Sequence, residues 1–136
     1  MVLTGKGNQN FINSNFYLAP FEVIINGDII SSNIKSYEFK NDSNNVRIKF
    51  DGFLESCENM FEGLSSIIQI DSSNLDFSKV TSMSSMFNHC INLEKIIFGN
   101  INTSLVKDMY RLFHCCTKLK SIDVSRFENS SVTNMN

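Results

Sequence analysis

Shifted by 26 residues against itself, the second half of this chain lays apolar residue on apolar residue. Val80, Val106 and Val132 share one column, and Met83, Met109 and Met135 share another. Met60, Met86 and Leu112 align, as do Phe61, Phe87 and Phe113. Further columns hold Leu64, Cys90 and Cys116; Ile67, Leu93 and Leu119; Ile70, Ile96 and Ile122; and Leu75, Ile101 and Phe127. A fixed period of this length means copies of one small unit that cannot bury its apolar stripe alone and must stack on its neighbours.

Two spacings occur within a unit. Met83, Met86, Phe87 and Cys90 fall at i, i+3, i+4 and i+7, which predicts one face of a short α-helix. Leu93, Ile96 and Phe98 then read apolar-x-x-apolar-x-apolar, the strand pattern of a leucine-rich repeat. The expected fold class is therefore an α/β solenoid with a helix and a short parallel strand per unit. Neighbouring strands would lie about 4.8 Å apart.

The stretches "SKVTSMSSMFNHCINLEKIIF" and "SLVKDMYRLFHCCTKLKSIDVSRF" resemble the repeat of BspA-like surface proteins, a leucine-rich-repeat group of bacterial and protist cell surfaces. The likeness runs from about Leu54 to Asn136. The first unit departs from it, with Cys57 in the Met83 column and Ser72 in the Phe98 column. The resemblance implies a secreted or surface-displayed protein used for adhesion or for building an outer layer, with an extracellular location and no catalytic activity.

Residues 1–52 follow a different pattern and are expected to form an antiparallel β cap that leads into repeats over 53–136. "EVIINGDII" places Asn26-Gly27 between two β-branched runs, a type I′ hairpin signal. "YEFKNDSNNVRIKFDG" reads as a second hairpin, since Tyr37, Phe39, Val46, Ile48 and Phe50 alternate with polar residues. "MVLTGKGNQNFI" opens with a strand.

Chemical motifs are few. His89 and Cys90 precede His114, Cys115 and Cys116 by one repeat, but no paired C-x2-4-C or H-x3-5-H spacing accompanies them, so no metal is expected. Cys90 and Cys116 occupy a core column. Aligned Cα atoms on adjacent rungs come within disulfide range, which makes this pair the candidate bridge. Asp71 and Asp123 share a column with Ile97 between them and read as solvent-facing. The Gly5-Lys6-Gly7 stretch lacks the strand-loop-helix setting of a phosphate cradle. No catalytic residues and no cofactor are assigned, and the reading is non-enzymatic.

A net charge of −2, with Lys and Arg dispersed, gives no attraction to nucleic acid. No apolar run is long enough to span a membrane. The N-terminus shows no signal-peptide pattern. Asn41, Asn102 and Asn129 stand in N-x-S/T sequons in expected loops, where an extracellular eukaryotic setting would permit glycans.

"FENSSVTNMN" starts a further unit: Val132 and Met135 carry the Val-x-x-Met signal of the earlier copies. Leu119, Ile122, Val124, Phe127, Val132 and Met135 therefore form the expected assembly edge. Either further repeats of a longer chain or the cap of a second copy, joined head to tail, would complete it. A head-to-tail contact does not close on itself and grows a filament or layer. The alternative is an adhesion module of a longer surface protein that recognises a host or partner surface.

Overall fold

The computed structural model describes residues 1–136. It contains no α-helix and eight strands: β1 (Val2–Thr4), β2 (Gly7–Asn10), β3 (Glu22–Ile25), β4 (Asp28–Ser31), β5 (Ser36–Phe39), β6 (Ser43–Lys49), β7 (Ile67–Asp71) and β8 (Lys95–Ile97). Six of them form one mixed sheet in the order β4-β3-β6-β1-β7-β8, and β2 pairs with β5 in a second, two-stranded sheet. The expected helix-plus-strand leucine-rich-repeat solenoid is therefore not the fold of this chain; the architecture is all-β.

The helix fails for a reason visible in the backbone. Asn59, Ser85 and Arg111 occupy one repeat column, and all three have positive φ, between 52° and 58°. Four residues later Gly63, His89 and Cys115 do the same, at 73°, 58° and 58°. A left-handed residue at every fourth position is incompatible with a right-handed helix. The segment folds instead into a ribbon of consecutive turns. Within it Met86, Asn88 and Cys90 donate their N–H groups three residues back, to Met83, Ser85 and Phe87. The intervening amides leave the unit: Met83, Ser85, Phe87 and His89 donate to the carbonyls of Asp108, Tyr110, Leu112 and His114. Cys57, Asn59, Phe61 and Gly63 donate in the same way to Ser82, Ser84, Met86 and Asn88. Every second amide thus holds the next copy, and parallel bridges join Ser56, Ser82, Asp108 and Asn134 in series.

This ribbon still turns its i, i+3, i+4, i+7 positions inward, so the apolar columns bury as a helix would bury them. Met83, Met86, Phe87 and Cys90 are all fully buried. The rings of Phe61, Phe87 and Phe113 stack face to face at 5.5 and 5.7 Å, and Phe98 meets Phe77, Phe87, Phe113 and Phe127 edge-on. Such aromatic contacts add to area burial. The two atypical residues of the first unit are accommodated in place. Cys57 is buried, and Ser72 donates both its N–H and its hydroxyl to the Ile97 carbonyl. At Gly99, a φ of 63° and a Cβ position only 2.9 Å from Ser73 make glycine the residue that fits the bend.

β7 and β8 pair in parallel, Ile70 opposite Ile96, as the strand pattern predicts for the first two copies. The third copy, Leu119 to Val124, does not form a strand. The Asn26-Gly27 hairpin forms between β3 and β4, with φ of 54° and 101° at the turn. The second expected hairpin does not. β6 is flanked by β3 on one edge and β1 on the other, leaving no edge for β5, which pairs with β2. The buried Asn44 side chain donates to the carbonyls of Asn41 and Gly5, fixing the bend that separates β5 from β6. β1 also pairs with β7, so residues 1–52 and the repeats share one sheet and one core of 28 buried side chains.

Candidate functional site

On the first unit, the carbonyls of Met60 and Glu62 occupy the columns of Met86 and Asn88, which accept amides from the preceding copy. No copy precedes Met60, and Asn13 takes that place. Its backbone N–H donates to the Met60 carbonyl at 2.9 Å, and its side-chain amide donates to the Glu62 carbonyl at 3.0 Å. One asparagine thus supplies both donors. Tyr17 extends the closure, its hydroxyl accepting from the Glu55 N–H at 3.2 Å. The sequence pattern does not single out either residue, since Asn13 sits among several asparagines in an irregular stretch.

Toward the third unit the register continues: Met109 and Arg111 donate to Asn134 and Asn136, as Met83 and Ser85 donate to Asp108 and Tyr110. Of the expected edge residues, Leu119, Ile122, Phe127 and Val132 pack half-buried against the core. Val124 and Met135 are exposed at 45% and 61%. Between β8 and the unpaired third-copy segment lies a recess of about 300 Å³, lined by Ile96, Ile97, Phe98 and Ile101 and rimmed by Asp123 and Arg126.

The cysteines belong to the packing. All four carry free thiols, and Cys90 and Cys116 are not bonded to each other. Cys90 donates to the Phe61 carbonyl and Cys116 to the Phe87 carbonyl, both at 3.0 Å, so each thiol ties its unit to the one before. Burial pushes Cys57 and Cys90 up to about 12 and Cys116 to about 11. Such thiols are poor nucleophiles at neutral pH.

His89 and His114 are exposed, with ring centroids 5.7 Å apart, and His89 Nδ1 lies 2.8 Å from Asn88 Oδ1. No three His, Cys, Asp or Glu side chains converge on a point that could hold a metal ion. Asp71 and Asp123 each cap a local turn, at Ser73 and Ser125. Hydrogen bonds from those serine side chains and amides hold both carboxyls below the usual carboxylate range. Asn41, Asn102 and Asn129 are exposed, and Asn102 Oδ1 already accepts from the Ser104 N–H and hydroxyl. No helix is long and apolar enough to cross a membrane.

No curated protein and no solved structure matches this chain. The repeat region does match: residues 55–136 fit the family described as "Mycoplasma protein of unknown function, DUF285". That span takes in every residue of the amide hand-over between copies, and this chain is a member of that family.

Proposed function

We propose that this protein is a non-enzymatic, extracellular structural repeat protein that assembles head to tail into a filament or surface layer. The observation that carries the reading is the register of amides between units, in which Phe61 and Gly63 donate to the second copy and Phe87 and His89 to the third, a pattern that another copy can extend. Backbone groups of this kind are a template for another chain. The likeness to BspA-like surface repeats supports the outer-surface setting, in which the exposed sequons at Asn41, Asn102 and Asn129 would be open to modification. The partner is a second copy, or a further repeat of a longer chain presenting the same carbonyl register.

Exposed aromatic residues favour a second reading, that of an adhesion module. Tyr17, Phe21 and Phe53 are 58%, 61% and 67% exposed, and Phe53 lines a shallow recess with Glu55, Lys79 and Thr81. Electron microscopy and sedimentation over a concentration series separate the two. The structural reading predicts linear particles that lengthen with concentration. Isolated monomers at every concentration would overturn it.

A further inference from the structure

The chain has two histidines, and the fold brings them together on one flank of the repeat stack. His89 belongs to the second unit and His114 to the third, and the His89 N–H donates to the His114 carbonyl at 2.8 Å, which locks the two backbones in register. Both side chains are exposed, with ring centroids 5.7 Å apart. A short polar chain fixes the His89 ring further. Asn88, only 5% exposed, donates from Nδ2 to Glu62 Oε1 at 2.7 Å. An ionised carboxylate only accepts, so the amide nitrogen must face Glu62 and the amide oxygen must face His89. His89 Nδ1 lies 2.8 Å from that oxygen and therefore carries the proton. The neutral ring then keeps its lone pair on Nε2, outside this network.

We infer that His89 Nε2 and the His114 ring together bind a divalent transition-metal ion of the Zn²⁺ or Ni²⁺ class, across the joint between the second and third units. Two imidazoles on one tetrahedral ion have ring centres about 5 Å apart, given a metal–nitrogen distance of about 2.0–2.1 Å. The observed separation is close to this, and a turn of the exposed His114 ring closes the difference. No third His, Cys, Asp or Glu converges on the point, so the protein supplies two nitrogens and water fills the remaining positions. Imidazole donors select zinc, copper or nickel over magnesium and calcium, which take oxygen ligands. The hydrogen bond from Nδ1 to Asn88 orients the ring and raises the basicity of Nε2, the usual support for a metal-bound histidine. In the first unit Gly63 stands in the His89 column, so the site occurs once, at this joint. Only the folded stack brings the two rings together, and the ion therefore stabilises the native state. The inference is independent of the head-to-tail reading.

The test titrates the tag-free chain with Zn²⁺ and with Ni²⁺, followed by calorimetry and by thermal denaturation. A single ion should bind per chain and raise Tm, and Mg²⁺ at the same concentration should do neither. His89→Asn, which suits the left-handed backbone at φ 58°, and His114→Gln should each weaken binding at least about tenfold, since even an outer partner of a ligand is worth that much. Nitrogen-15 spectra of the wild-type imidazoles should place the metal on His89 Nε2 with Nδ1 still protonated, a readout that stands even where a variant fails to fold. Three results would each overturn the site: no binding, metal on His89 Nδ1, or binding that survives either substitution, as it would if a thiol alone took the ion.

Discussion

At the scale of single residues, the cysteines show how a reactive side chain becomes structural. Cys57 and Cys90 lie in the core with their thiols held neutral, and burial is the largest cause of their raised pKa. The unfolded chain ionises these thiols near the ordinary value of 9.0, the folded chain only near about 12. Between those limits the native state binds more protons than the unfolded state, so stability falls as pH rises. Each of the two contributes at most about 1.4 kcal/mol per pH unit. Urea denaturation at pH 7 and pH 10 should show this loss in wild type and a smaller one in Cys57→Ala. Equal pH dependence in both would remove Cys57 from the account. Cys115 is half-buried and stands outside the core cluster.

At the scale of the element, the turn ribbon explains what the sequence could and could not disclose. The repeat, its columns and the inward set Met83, Met86, Phe87 and Cys90 were legible, because burial depends on which side chains face the core. The backbone path was not. A helix and a ribbon of turns can present the same i, i+3, i+4, i+7 set, and apolar spacing records only the set. A clue existed in the first unit, where Asn59 and Gly63 occupy the left-handed positions such residues favour. Ser85, Arg111 and Cys115 repeat the conformation without the preference, and at Ser85, His89 and Arg111 a hydrogen bond to the neighbouring copy holds the backbone in place. Asn13 was illegible for a related reason, since its role depends on where the chain folds back onto Met60 and Glu62. The third strand was expected from its pattern and is absent, and a local spacing rule cannot register whether a segment has a partner on both sides.

The ribbon makes an unusual prediction for Ser85, whose φ is 54°. Within a helix, glycine at this position would cost about 0.5–1 kcal/mol. In a left-handed turn it relieves strain, so Ser85→Gly should leave stability unchanged or raise it by up to about 1 kcal/mol. Ser85→Val, bulky and β-branched, should lower it. Thermal denaturation of the two variants gives the comparison, and a clear loss in Ser85→Gly would return the segment to a helix.

At the scale of the whole molecule, the stack has polarity. Asn13 and Tyr17 close the face of the first unit, whereas the third unit carries exposed Val124 and Met135 and borders the recess beside β8. The amides of Phe61, Gly63, Phe87 and His89 all donate to the following copy, so any addition along the stack has a direction. Hydrogen exchange read amide by amide across a concentration series tests this most directly. At low concentration the account predicts protected amides at Phe61, Gly63, Phe87 and His89 and fast exchange at Phe113 and Cys115. As concentration rises, Phe113 and Cys115 should become protected as well. Fast exchange at Phe61 and Phe87, or protection at Phe113 and Cys115 that does not change with concentration, would contradict it.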